Sequence, residues 1–303
     1  MAPGDLAVGA IFSIQMFAGI LGNFYLLYHY LSFSLTETRL RATDLILKHM
    51  TSANLLVLLS KGIPQTMAAL GLTDFLSAFG CKLVFCAHRV GRGVSMGTTC
   101  LLSVFQAITV SPRGSRWARL KDKAPRYLGT TSILCWVLNM TLNLIVPVYV
   151  TDRWGVTNVT KRRDYGYCYA AIHDKIIESL YLILASAHDI LCVGLMAWAS
   201  GSLVCTLYRH RQRVRHLHSS RAAPRRPPET RATRSILILV STFTSLCAVS
   251  SAFQICLTVL NNPSTWLVVA SALMAACFPT VSPYILMGHD SRVPVFCFPK
   301  IST

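Results

Sequence analysis

Two arginines and a histidine lie inside a stretch of the chain that is otherwise apolar enough to cross a bilayer. The stretch runs from Cys81 to Val110 and holds His88, Arg89 and Arg92. About 20 helical residues are enough to span the hydrocarbon layer. A charge at that depth is costly, so it usually faces a protein interior and belongs to a functional site. The segment therefore predicts a polar site inside a bundle of membrane helices.

Two further charges lie at a comparable depth in other apolar stretches. At a rise of about 1.5 Å per helical residue, Arg92 lies roughly 16 Å below the outer end of its helix, Lys61 about 14 Å and Asp189 about 20 Å. Three charges at similar depth on three helices predict one shared cavity. The structural alternative is that Arg92 and Asp189 simply pair and hold two helices together. One buried pair is able to do both.

The spacing of residues in the Cys81–Val110 stretch sorts its side chains by face. The side chains that follow Cys81 at intervals of three and four residues share one side of a helix, namely Phe85, His88, Arg92 and Ser95. Arg89 is turned about 100° from His88 and is expected to face a neighbouring helix. The predicted ligand pocket consists of Lys61, Phe85, His88, Arg92, Ser95 and Asp189. Because its cations outnumber its acid, we expect an uncharged or anionic apolar ligand rather than a cationic amine.

Patterns that suggest catalysis or metal binding do not fit their surroundings. Gly93 to Gly97 matches the G-x-S-x-G nucleophile elbow, which needs a strand–turn–helix context, yet it lies in the middle of a membrane helix. Its two glycines fit better as small residues that let helices approach closely. His188 and Asp189 lack the histidine pair of a zinc-binding helix. We therefore predict no catalytic site, no metal and no cofactor, and the chain is not expected to be an enzyme.

The composition and its pattern indicate a membrane protein. Of the 303 residues, 53% are hydrophobic and only 14% are charged. The apolar residues form seven blocks, at 6–31, 43–70, 78–110, 127–150, 176–208, 232–260 and 264–287. The predicted fold is an all-α seven-transmembrane helix bundle. It forms a single domain, 1–303, that ends in a short cytoplasmic tail, 288–303.

The net charge of +17 is concentrated in alternate loops. Arginine and lysine are frequent after the first, third and fifth blocks and rare in the opposite loops. This positive-inside bias predicts an amino terminus outside the cell and a carboxyl terminus inside. The same bias indicates that the protein lies in a lipid bilayer and that its positive charge does not serve to bind a nucleic acid.

Two covalent features are expected on the outer side. Cys81 opens the third block and Cys168 lies in the loop before the fifth, so we predict a disulfide bond between them. Cys86 is the rival partner, although it lies within the helix. The sequon at Asn158 lies in a polar outer loop and predicts glycosylation, whereas the sequon at Asn139 lies within the fourth block and should be inaccessible.

A series of short motifs resembles the type 1 vomeronasal (pheromone) receptors. These motifs, in chain order, are KHM at 48–50, LSKGIP at 59–64, HRVGRGVS at 88–95, CLLSVFQAI at 100–108, HDILC at 188–192 and FPTVSPYILM at 278–287. Each is weak alone, but their order is specific. The resemblance implies a G-protein-coupled receptor in the plasma membrane of sensory neurons. It also implies a small pheromone-like ligand and a Gi/Go-type G protein.

The resemblance leaves the activation switch undefined. Rhodopsin-like receptors end the third helix with an acidic-Arg-aromatic triplet, and this chain has Phe105-Gln106-Ala107 there. The residues expected to face a G protein lie at the helix-proximal ends of the basic loop between the fifth and sixth blocks. They are Arg209, Arg211, Arg213, Arg231 and Arg234. The alternative functions are a bitter-taste-like chemosensory receptor and a transporter or channel.

Overall fold

The structure is a computed structural model, and it describes residues 3–36, 42–72, 75–111, 118–144, 150–151, 162–164, 167–171, 175–217, 228–260 and 264–289. These residues form eight α-helices: α1 (Pro3–Thr36), α2 (Ala42–Val57), α3 (Ile63–Ala69), α4 (Ala78–Val110), α5 (Ala118–Leu142), α6 (Lys175–Leu217), α7 (Pro228–Val259) and α8 (Thr265–His289). A π-helical turn, Leu58–Gly62, joins α2 to α3. Together these three elements make one interrupted helix, so the described residues contain seven long helical segments.

The π-helical turn has a cause in the sequence. Pro64 carries no N–H for the carbonyl of Ser60, and its ring would collide with that carbonyl in a regular α-helix. The backbone widens instead, and the N–H of Ile63 bonds to the carbonyl oxygen of Leu58, five residues earlier. Such single wide turns are frequent at functional sites. Lys61 lies within this one.

Helix α4 is the centre of the bundle and packs against α2, the π-helical turn, α5 and α6. Its glycines allow this close packing. A Cβ atom on Gly93 would overlap the amide oxygen of Asn139 on α5, and one on Gly97 would overlap the sulfur of Cys135. On another side, a Cβ atom on Gly91 would lie 3.2 Å from the carbonyl oxygen of Ala53 on α2. The prediction that Gly93 and Gly97 permit close helix approach is thus confirmed.

One end of the bundle carries a small sheet that is tied to α4. The strands β1 (Val150–Thr151), β2 (Arg162–Asp164) and β3 (Tyr169–Ala171) pair antiparallel in the order β1-β3-β2. A disulfide joins Cys81 at the start of α4 to Cys168 just before β3, as predicted, while Cys86 is a free thiol. Both bonded cysteines are buried, and Tyr167 and Phe85 pack in the same apolar cluster. The disulfide therefore holds the sheet against the end of α4.

Five of the described helical segments are long and apolar enough to cross a membrane: Ala7–Leu35, Ala78–Val110, Ser179–Thr206, Val240–Leu257 and Trp266–Gly288. Many large apolar side chains on them point outward, including Phe17, Leu83, Ile183 and Trp266. Outward apolar surface of this extent is what a lipid environment stabilises. The chain is thus a multi-pass membrane protein whose described residues are mainly helical, with one small sheet.

The predicted boundaries of the fourth helix, 127–150, are wrong at both ends. Helix α5 runs from Ala118 to Leu142, and Val150 lies in β1. An apolar block predicts only the part of a helix that contacts lipid. Helix α5 begins earlier, in the charged residues that precede this part. At the other side the helix ends in a turn at Asn143, and the residue before Pro147 is unfavourable for helix. Helix α6 likewise continues beyond the predicted 208, to Leu217.

Candidate functional site

A buried ion pair lies at the centre of the candidate site. One guanidinium nitrogen of Arg92 on α4 donates to the Asp189 carboxylate on α6 over 2.8 Å, and to the hydroxyl of Ser251 on α7 over 3.1 Å. The side chains of Arg92 and Asp189 are 14% and 9% exposed. The pairing of Arg92 with Asp189 that the structural alternative required is present, and Ser251 brings a third helix to the same guanidinium group.

Asp189 is also approached from its own helix. The Nδ1 atom of His188 lies 3.5 Å from the carboxylate oxygen that Arg92 does not use. The other ring nitrogen of His188 lies 3.8 Å from the sulfur of Cys192, one turn further along α6. Both oxygens of the carboxylate thus have a polar neighbour, which a buried charge requires.

A small cavity, partly open to the surroundings, adjoins this ion pair. It lies between three helices and is lined by Arg89, Arg92 and Gly93 of α4, by Asn139, Leu142 and the following Asn143 of α5, and by Tyr181, Leu184, Ala185, His188 and Asp189 of α6. The lining combines two cations, a histidine, one acid, two amides and a tyrosine ring with a few apolar side chains. A concave site where several polar groups converge is a candidate small-molecule site.

Tyr181 orders one wall of the cavity. Its ring lies under the guanidinium of Arg89, 5.9 Å from the ring centre, at a distance where cations are attracted to aromatic faces. Its hydroxyl donates to the side-chain oxygen of Asn143 over 2.8 Å. The Asn143 amide in turn donates to the carbonyl of Asn139 over 2.7 Å. The sequence predicted that Arg89 faces a neighbouring helix, and that helix is α6. The sequence did not predict that Arg89 also lines the cavity.

Of the six predicted pocket residues, Arg92 and Asp189 line this cavity, and the other four lie elsewhere. The ring of Phe85 packs against Tyr167, with 5.9 Å between ring centres. Ser95 donates to the side-chain oxygen of Asn54 on α2 over 2.6 Å. The remaining two, His88 and Lys61, lie where α4 packs against the π-helical turn. The shared face of α4 thus divides between two partners, because its side chains splay toward α6 on one side and α2 on the other.

A second polar cluster lies deeper in the bundle and was not predicted. Asn54 of α2 donates to Ser282 of α8 over 3.0 Å and to Asn23 of α1 over 3.3 Å, while Ser95 donates to it from α4. Asn23 also donates to the carbonyl of Pro279 over 2.7 Å. All of these side chains are buried, and polar groups far from water must satisfy each other. Two asparagines in apolar helices were the sequence signal for this cluster.

Several predicted positions lie outside the described residues or side chains. Asn158 is among them, as are the side chains of Arg211, Arg213, Arg231 and Arg234, whose backbone is helical. Arg209 is described and lies exposed on α6. Asn139, the second sequon, is only 2% exposed inside the bundle. Within the described part of the chain, no three histidine, cysteine or acidic side chains are grouped as metal ligands.

Comparison with known proteins gives one consistent result. The sequence model of the vomeronasal organ pheromone receptor family matches residues 6–299. Vomeronasal type-1 receptor 4 of Homo sapiens is 56% identical over 298 residues, which cover 98% of this chain and 99% of that protein. Vomeronasal type-1 receptor 2 of Homo sapiens is 52% identical, over 93% of this chain and 72% of the relative. Olfactory receptor class A-like protein 1 of Danio rerio is 33% identical, over 95% and 92%.

Proposed function

The chain belongs to the vomeronasal type-1 receptor family of chemosensory receptors, and we propose that it binds a small organic ligand inside its helix bundle and activates a Gi/Go-type G protein. The observation that carries this proposal is the cavity beside the Arg92–Asp189 ion pair. A ligand there lies beside the Arg92 guanidinium, which links α4 to Asp189 of α6 and to Ser251 of α7. Ligand binding is therefore able to favour one arrangement of these helices over another.

The proposal includes seven transmembrane segments, with the amino terminus outside and the carboxyl terminus inside, in the plasma membrane. Five of the segments meet the length and apolarity expected of a span. The interrupted α2–α3 helix and α5 are added because they pack in the same bundle, against α4. The excess of arginine and lysine in alternate loops supports the orientation.

In this orientation the end of α6 reaches the cytoplasm. The helix continues to Leu217, well past its apolar part, and exposes Arg209 and Tyr208. A basic helical end of this kind suits a G-protein contact, in which Arg211, Arg213, Arg231 and Arg234 would also take part. The choice of the Gi/Go type rests on the family.

The experiment that tests the function measures nucleotide exchange. Membranes from cells that express the chain together with Gαi/o, Gαs or Gαq are exposed to a panel of small apolar acids, alcohols and amines. We expect at least one compound to accelerate GTP binding by Gαi/o and not by the other two. Ligand-dependent exchange on Gαs alone contradicts the G-protein assignment. A compound-dependent ion current without nucleotide exchange contradicts the receptor mechanism.

A further inference from the structure

Lys61 is a basic side chain inside the bundle that has no counter-ion among the described residues. Arg92, at a similar depth, has Asp189 at 2.8 Å, and Arg89 has the ring of Tyr181. Lys61 has no ion pair or hydrogen bond in the described part of the chain, while the charges of Arg89 and Arg92 both act on it. An ammonium group in such surroundings is unfavourable unless an anion joins it.

His88 lies next to Lys61, and the contacts of α2 and α4 explain why. Gly91 of α4 packs on Val57, the last residue of α2. The two helices are antiparallel. Toward the disulfide end, one turn after Val57 reaches Lys61 in the π-helical turn, and one turn before Gly91 reaches His88. The charge of Lys61 accordingly acts on His88.

His88 is buried, with 7% of its surface exposed, and its Nδ1 atom has no hydrogen-bond partner within the described residues. An unpaired buried nitrogen is costly and rare in native structures. Lys61, in contrast, is partly exposed. Two polar groups that need partners therefore share one location.

The surface above this location is apolar. One to two turns nearer the disulfide, Ala68 of α3 and Val84 and Phe85 of α4 pack around Tyr167 in one cluster. Tyr181 belongs both to this apolar cluster and to the lining of the cavity beside Arg92.

We propose that Lys61 and His88 form the anion-binding part of the ligand site, and that the receptor takes a small organic anion whose apolar body extends along the Phe85–Tyr167 cluster to the cavity at Tyr181. This inference rests on the proposed function and names the ligand class. It assigns the acidic group of the ligand to Lys61 rather than to Arg92. Arg92 is treated as a positioning residue because its Nη2 atom joins Asp189 and Ser251, while its Nε atom has no hydrogen-bond partner among the described residues.

The test uses three ten-carbon compounds that differ only in the head group: decanoate, decanol and decylamine. Their apparent affinities are measured from the ligand-dependent rise in the unfolding temperature of the purified receptor. We expect decanoate to bind about tenfold more tightly than decanol, because a charge-assisted hydrogen bond is of that strength. Decylamine should bind least well of the three.

Three variants assign the effect to its residue. Lys61→Gln should abolish the preference for decanoate, and Lys61→Glu should shift it to decylamine. Lys82→Gln, the same change near the outer end of α4, should leave the preference intact. Partitioning into detergent differs among the three compounds, so each affinity is calculated from the free aqueous concentration of the compound.

Two outcomes overturn the inference: decanoate binds wild-type receptor no better than decanol, or its advantage persists in Lys61→Gln. The wild-type comparison is decisive even if Lys61→Gln fails to fold. Nucleotide exchange is measured in parallel, so that the two proposals fail separately. An anion preference without exchange contradicts the signalling proposal alone, and exchange driven equally by all three compounds contradicts only the anion site.

Discussion

Arg92 and Asp189 lie 97 residues apart in the chain, and 2.8 Å separates a guanidinium nitrogen of one from a carboxylate oxygen of the other. The same nitrogen donates to Ser251. Because one atom links α4 to both α6 and α7, a shift of either helix against α4 changes these bonds. The ion pair is therefore both part of the cavity wall and a contact that depends on the arrangement of the bundle.

Removing one partner of this ion pair should destabilise the receptor more than removing both. Asp189→Asn leaves the Arg92 charge without its acid, and breaking a buried pair in this way typically costs about 3 kcal/mol or more. The double variant Arg92→Gln/Asp189→Asn removes both charges and should recover part of the lost stability. Thermal unfolding of the purified variants measures the coupling between the two positions. Strict additivity of the two single effects would show that the residues do not interact.

The packing of α4 on α5 should be sensitive to one methyl group. Gly93→Ala places a carbon on the amide oxygen of Asn139, and overpacking of this kind costs about 1–3 kcal/mol. Gly194→Ala is the matched control, because a Cβ atom there meets no described atom within 4 Å. We expect a lower unfolding temperature for Gly93→Ala only, with partial recovery in Gly93→Ala/Asn139→Ala. Equal unfolding temperatures for the two single variants would contradict the close approach.

Loss of the disulfide should reduce the amount of receptor at the cell surface. Cys168→Ser frees Cys81 and releases the small sheet from α4, and loss of a native disulfide typically costs about 2 kcal/mol or more. Cys205→Ser changes an exposed free thiol on α6 and should have no effect. Surface labelling compares the two variants, and peptide mapping without reduction identifies the bonded pair. Recovery of both thiols in free form from folded receptor would disprove the bond.

Glycosylation should occur at Asn158 and not at Asn139. Asn139 is buried against Gly93, so a glycan there is incompatible with the folded bundle. Enzymatic deglycosylation should shift the gel mobility of the wild type and of Asn139→Gln, but not that of Asn158→Gln. A mobility shift that survives in Asn158→Gln would refute the assignment.

The sequence predicted which residues lie inside the bundle better than which neighbours they meet. Depth and charge identified Arg92 and Asp189 as partners, and outer placement identified Cys81 and Cys168. Helical spacing alone grouped Ser95 with Arg92, yet Ser95 bonds to Asn54 of α2. Residues three apart differ in direction by about 60°, and at a helix surrounded by partners that difference is enough to reach another helix.

Sequence patterns also did not predict the π-helical turn or the polar cluster, because both depend on how the helices pack together. Pro64 predicts a disturbed helix, but only the packing of the bundle decides between a kink and a wide turn. Asn23 and Asn54 are single polar residues in apolar segments, and their partners come from helices far away in sequence. The rotation of each helix about its axis, which fixes those partners, is set by the assembled bundle.

The most direct measurement fills the cavity and asks whether the receptor still responds. Ala185 lines the cavity, whereas Ala187, two residues later on α6, points outward. With the compound that most strongly drives Gαi/o nucleotide exchange on wild type, Ala185→Trp should lose the response while still reaching the cell surface. Ala187→Trp should respond as the wild type does. A full response from Ala185→Trp would contradict the claim that the ligand binds between α4, α5 and α6.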